Sequence, residues 1–211
     1  MTNRTMIKLL HELQRNDDDA PAGMMPAPLT VETIDNHVYF YSGVDSDRCL
    51  ALLRTIREVD AKLRNERVSR ALSAANIPAT PIWLHIYSGG GDLFAGLACV
   101  DQLQRFETPI FSVIEGMCGS AATLISMACT RRYILPNSFM LVHQLSSAMW
   151  GTHEQFKDEM KLQEMAMDRI VRFYATRTDV SEIEIREVLK HDMWMSSTEA
   201  LEAGFVDEIL A

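Results

Sequence analysis

A single α/β domain built on a largely parallel sheet is the fold class this sequence predicts, on three observations. Short apolar strand patterns alternate with helical ones: residues 81–87 precede a helix pattern at 93–106, and residues 110–114 precede another at 119–129. No internal repeat of fixed period runs through the chain. At 211 residues there is enough chain for one well-buried domain, and two would be a squeeze.

The elements follow in order. Residues 5–15 carry a weak helical pattern that dissolves into Asn16-Asp17-Asp18-Asp19-Ala20-Pro21-Ala22-Gly23. Charge, proline and glycine together mark a linker, so residues 1–30 read as a flexible N-terminal arm and 31–211 as the domain. Residues 30–42 are rich in β-formers around an Asp35-Asn36 turn. From Ser46 a long helical pattern runs through Leu50, Leu53, Ile56, Val59 and Leu63 toward Leu72, with Pro78 and Pro81 ending it. Arg132-Tyr133-Ile134-Leu135 and Phe139-Met140-Leu141-Val142 read as strands around Pro136-Asn137-Ser138. Thr152-His153-Glu154-Gln155 has capping-box spacing and opens a long helix reaching about residue 175. Ser181 and Ser196 open two more, the last ended by Gly204, and residues 205–210 look like a closing strand.

Bulk properties exclude several classes. A net charge of −9 argues against a nucleic-acid binder, because phosphate binding needs a basic face. The four cysteines, Cys49, Cys99, Cys118 and Cys129, form no CxxC pair and sit in apolar contexts. They read as buried thiols in a reducing compartment, with neither a disulfide frame nor a metal site. No apolar run approaches the roughly 18 residues of a membrane span, and Met1-Thr2-Asn3-Arg4 begins no secretory signal. The expectation is a cytoplasmic protein.

Two glycine-rich segments could carry chemistry. Ser88-Gly89-Gly90-Gly91-Asp92 follows a buried strand, so its backbone amides can face a cleft unobstructed. It lacks the Lys-Ser/Thr of a phosphate loop and reads either as a tight turn or as a backbone rail and amide donor for an extended peptide. In Gly116-Met117-Cys118-Gly119-Ser120-Ala121-Ala122, a serine meets a helix N-terminus directly after an apolar strand. Free amides and the helix dipole favour developing negative charge there. Ser120 is a candidate nucleophile, or an ordinary helix cap; the G-x-S-x-G pattern is absent. Ser112 and Ser126 lie inside elements and compete poorly.

A nucleophilic serine needs a base, and the histidines are His11, His37, His85, His143, His153 and His191. His85 is mid-strand, where a satisfied sheet-face role fits better. His143 ends an apolar strand as the chain leaves the sheet, the position where parallel sheets place active residues. The third group should be a carboxylate that orients the imidazole, and pattern alone does not choose among 29 acids. Asp192 stands out as an acid in an apolar neighbourhood between two helices, and could equally be a solvated loop aspartate.

With these residues in hand, the sequence resembles the proteolytic subunit of the Clp protease family from about Val38 to Ala211. Ser88-Gly89-Gly90-Gly91-Asp92-Leu93-Phe94-Ala95-Gly96 is similar to the family's S-P-G-G-x-x-x-A-G block, and Gly116 to Ser120 to its G-x-A-A-S-M-G block. Arg132 to Ser138 with Met140-Leu141-Val142-His143-Gln144 resembles R-Y-x-L-P-N-S…H-Q-P. Asp192-Met193-Trp194-Met195-Ser196, Glu199-Ala200 and Gly204-Phe205-Val206-Asp207 resemble the closing D-R-x-M-S-x-x-E-A-x-x-x-G-x-x-D.

The resemblance implies Ser120 as nucleophile, His143 as general base and Asp192 as the orienting acid. It further implies backbone amides of Gly91 and Ala121 as an oxyanion hole, and Gly90, Asp92 and Leu93 along the substrate. The implied fold is a crotonase-like, ClpP-type spiral of ββα units with a protruding handle helix at about 146–178. The implied assembly is a homo-oligomer of stacked heptameric rings hydrolysing unfolded proteins or peptides in a closed chamber. It implies no cofactor for this chain, ATP being used only by a partner AAA+ unfoldase. Residues 1–30 do not resemble the axial-pore segment that helps dock that partner. Gly89 stands for the family proline, Cys118-Gly119 for its alanine pair and Leu145 for the proline of H-Q-P. The interval from Ser120 to His143 is about two residues short, with the gap near Cys129-Thr130. A non-catalytic ring subunit and a crotonase-type acyl-CoA enzyme are the alternative readings.

Overall fold

The computed structural model describes residues 31–71 and 78–210. The N-terminal arm and the helix end expected near Leu72 lie outside them.

Chain order is β1 (Val31–Ile34), β2 (His37–Tyr41), α1 (Ser46–Ala71), β3 (Ile82–Ser88), α2 (Leu93–Leu103), β4 (Ile110–Gly119) and α3 (Ala121–Met127). Then come β5 (Arg131–Ile134), β6 (Phe139–Val142), α4 (His153–Ala175), α5 (Glu182–Val188), β7 (Met193–Ser196), α6 (Ser197–Glu202) and β8 (Glu208–Ile209). Strands β2, β3, β4, β5 and β8 run parallel in that order, with β1 antiparallel at the β2 edge. The predicted α/β class with a largely parallel sheet is the one observed.

β4 is the strand that organises the rest. Its first half pairs with β5, Phe111 opposite Arg131 through Ile114 opposite Ile134. At Gly116, where φ is +70°, it turns away, and Met117 to Gly119 pair in parallel with Phe139 to Leu141 of β6. The Ser138 hydroxyl accepts from the Gly116 amide at 2.7 Å and holds the bend. β7 lies antiparallel on β6. Sequence reading ended β4 at Ile114 and found no β7; the closing strand it expected over 205–210 is only Glu208–Ile209.

One face of the sheet buries Val38, Phe40, Ile82, Leu84, Ile86 and Ile114 against Leu52 and Ile56 of α1, Cys99 and Leu103 of α2, and Leu124 and Ile125 of α3. Burying an aliphatic side chain fully contributes about 1.5–3 kcal/mol, so this face dominates the fold. The other face carries half-buried rings. A hydrogen-bonded chain crosses it: His37 Nδ1 meets His85 Nε2 at 2.8 Å, and His85 Nδ1 meets Glu115 Oε1 at 2.7 Å. The Tyr41 hydroxyl donates to Glu115 as well, and the Tyr39 ring stacks on His85. Near the C-terminus, Arg132 ties Asp207 and the carbonyls of Arg177 and Gly204 together.

Candidate active site

The site grows from the end of β4. Ser120 sits between β4 and α3 with φ 52° and ψ −128°, a conformation that only glycine adopts without strain. Its side chain makes no capping hydrogen bond, which removes the helix-cap alternative. The Ser120 amide donates to the Leu141 carbonyl at 2.8 Å, extending the β4–β6 ladder through the turn.

The glycine loop explains how the turn is accommodated. Gly90 has φ +97°, and a Cβ there would lie 2.6 Å from both the Gly119 carbonyl oxygen and Ser120 Cβ. Only a residue without a side chain lets the loop pass so close behind the serine. Gly91 forms a parallel bridge with Val44, whose amide donates to Gly90 and whose carbonyl accepts from Asp92. Bonding on either side of Gly91 leaves its own amide out of that bridge, and Gly91 lines the cleft. Ala121, as the first residue of α3, has an amide with no intrahelical acceptor. Among the described residues neither amide has a hydrogen-bond partner.

Ser120, Ala121 and Gly91 line a cleft of about 260 Å³ together with His143. His143 is the first residue beyond β6, half-buried, and the described histidines otherwise lie elsewhere. His37 and His85 are bonded on the open sheet face, while His153 and His191 are exposed at helix ends. Leu124, Ala166, Ile170 and Tyr174 also line the cleft, and Gln144, Ser147 and Glu159 give it a polar side. Sequence reading did not single out the α4 residues. The spacing of 166, 170 and 174, four apart on one helical face, was the signal available.

The remaining expected residues divide. Leu93 and Asp92 line the cleft, but the Asp92 carboxylate accepts from the Ala95 amide at 2.6 Å as the cap of α2. Asp192 lies between α5 and β7, where two flanking helices were expected. The β6–β7 register runs Leu141 opposite Trp194 and Val142 opposite Met193 and ends there, and the same register continued by one step would pair His143 with Asp192. Directly opposed residues point to one face of a sheet. Asp192 is exposed, and no hydrogen bond or ion pair joins it to His143 among the described residues. Cys118, two residues before Ser120, is fully buried, and burial pushes its thiol well up, so it does not compete as a nucleophile.

A family model described as Clp protease matches residues 35–211. The chain belongs to the Clp protease family. Proteolytic subunit 2 of the ATP-dependent Clp protease of Tropheryma whipplei is 35% identical over 154 residues, 72% of this chain and 86% of that one. The corresponding subunit 2 of Treponema denticola is 30% identical over 155 residues, 72% of this chain and 78% of its own length. Among solved structures, a ClpP1 mutant from Listeria monocytogenes superposes with a TM-score of 0.70 at 23% identity, over 83% of this chain and 91% of that chain. That likeness shows the ClpP-type fold. Family membership places the chain among serine-type endopeptidases.

Proposed function

We propose that this Clp-family chain hydrolyses peptide bonds in unfolded proteins through an acyl-enzyme on Ser120. The observation that carries the proposal is the strained, uncapped Ser120 turn in one cleft with His143 and two unbonded amides. An extended peptide lies along the glycine loop with an apolar side chain among Leu124, Ala166 and Ile170. His143 takes the Ser120 proton as Oγ attacks the carbonyl carbon. The tetrahedral oxyanion then accepts from the Gly91 and Ala121 amides; losing one such donor typically costs about 10²–10³ in rate. His143 returns the proton to the leaving amine, and water repeats the cycle on the ester. Asp192 holds the imidazole once the ladder closes by its one further step.

The handle helix supports an assembly. α4 leaves Phe156, Met160, Leu162 and Met165 exposed, and Trp150 before it is 99% exposed. Apolar surface of that kind marks an interface, here with further copies of the chain in stacked heptameric rings that enclose the sites. The relatives are named as parts of an ATP-dependent protease; in this reading an AAA+ unfoldase consumes the ATP and feeds the chamber.

A fluorophosphonate probe tests the chemistry. Wild type should label at Ser120 and cleave an unstructured peptide, and Ser120→Ala should do neither. Equal labelling of the two, with Ser120 unmodified on peptide mapping, sinks the assignment. Native mass spectrometry of the purified chain tests the rings; a stable monomer that cleaves at full rate argues against the chamber.

A further inference from the structure

The strained Ser120 backbone is held from a direction that the triad does not account for. Its carbonyl oxygen accepts from the Thr123 amide at 3.0 Å, an ordinary first turn, and also from the Thr123 hydroxyl at 2.6 Å. Thr123 Oγ1 in turn lies 2.7 Å from the hydroxyl of Tyr174, in the last turn of α4. A carbonyl oxygen only accepts, so Thr123 spends its one proton on Ser120, and the phenol must donate to Thr123. The chain of donation therefore runs Tyr174 O–H to Thr123 Oγ1–H to the Ser120 carbonyl.

Nothing in water competes with it. Thr123 is 0% and Tyr174 2% exposed. The Tyr174 ring is fixed between Phe173 and Phe205, with centroids 6.1 and 5.6 Å away. Burial pushes the phenol well above its ordinary value, so the donated proton stays in place across the neutral range. Low local dielectric strengthens each bond.

The geometry of the peptide unit gives this link its meaning. The Ser120 carbonyl and the Ala121 amide belong to one planar trans unit, so fixing where the oxygen points fixes where the N–H points. We infer that Thr123 and Tyr174 are positioning residues, a buried two-link brace that sets the Ser120–Ala121 peptide plane and aims the Ala121 amide into the cleft. The inference rests on the peptidase reading of Ser120.

Tyr174→Phe and Thr123→Val each remove a hydroxyl at nearly constant volume, and Thr123→Ser keeps it. In Tyr174→Phe the expected result is a kcat about 10-fold lower, short of the 10²–10³ for loss of an oxyanion donor. KM should stay within about 2-fold, because only transition-state binding is touched. Fluorophosphonate labelling and affinity for a peptide aldehyde, which forms the tetrahedral adduct, should fall in parallel with kcat. Thr123→Ser should keep the wild-type values, and the Thr123→Val and Tyr174→Phe effects should not add, since they break one chain. Tyr174→Phe and Thr123→Ser carry the test if Thr123→Val does not fold. If wild type labels at Ser120 and Tyr174→Phe matches it in labelling, kcat and aldehyde affinity, the brace is overturned while the peptidase stands. If wild type does not label at Ser120, both are overturned.

Discussion

Gly90→Ala would place a methyl group against the candidate nucleophile. The Cβ would lie 2.6 Å from Ser120 Cβ and from the Gly119 carbonyl oxygen, at a residue whose φ is +97°. The backbone term alone costs an L-residue roughly 1–2 kcal/mol. Relieving the contact requires loop and serine to part by about 0.8 Å, and a displacement near 1 Å costs on the order of 10²-fold in rate. That factor corresponds to about 2.7 kcal/mol of transition-state stabilisation. The strain is smaller than the typical stability of a domain, about 5–15 kcal/mol, so the variant should still fold. Gly89→Ala is the control: its Cβ would meet only the flexible end of Met117, at 3.4 Å. The assay is peptide hydrolysis together with the Ser120 labelling rate, with circular dichroism to confirm folding. Gly90→Ala should lose about 10²-fold in both, and Gly89→Ala should stay within about 2-fold. A folded Gly90→Ala with wild-type rates would refute the argument that loop approach sets the serine, as would an equal loss in Gly89→Ala.

Two further outcomes concern stability. His37 is held below its ordinary value of 6.5, first by burial and then by the adjacent His85 ring, against opposing pulls from Asp35 and Glu115. The folded form therefore binds fewer protons than the unfolded one, and stability should fall as pH drops from about 6.5 toward the lower folded value. Urea melts of wild type and His37→Gln between pH 7.5 and 5 should show a shallower pH slope in the variant; parallel slopes would exclude the effect. Phe205, 0% exposed and packed against Tyr174, leaves a cavity when cut to alanine. Phe205→Ala should lose about 3–5 kcal/mol, seen in calorimetry as a Tm lower by roughly 6–20 °C; a loss under about 1 kcal/mol would mean that the site collapses.

Much of this was legible in sequence because local signals sufficed. Capping boxes at Thr152, Ser181 and Ser196 open their helices where expected, and the apolar run of residues 82–86 is a central strand with alternate residues fully buried. Position at strand ends made Ser120 and His143 candidates, the resemblance selected them, and the two share a cleft. What stayed hidden depends on distant partners. The Gly116 bend exists because β4 exchanges β5 for β6, and β7 because Trp194 and Met195 find β6. Strand pairing across about fifty residues leaves no periodic mark. The strain at Ser120 was equally invisible, since a serine is no sign of positive φ; Gly90 behind it was the nearest clue. The link from Tyr174 to Thr123 joins two ordinary helical positions and has no motif.

The ladder through β4, β6 and β7 separates what can vary in length from what cannot. The Ser120 amide bonds Leu141, two residues before His143, and the β6–β7 register places Asp192 one step past Met193. Spacing between Ser120 and His143 is thus carried by rungs of backbone, while everything from Ala128 to Ser138 hangs outside those rungs. Cys129-Thr130 form the tight turn into β5, where the Thr130 amide bonds back to the Ile110 carbonyl. A deletion there shortens the route without moving the endpoints. One residue added within 139–142 would shift the β6 register and carry His143 to the opposite face. The detour through β5 tolerates a change of length that the rungs do not.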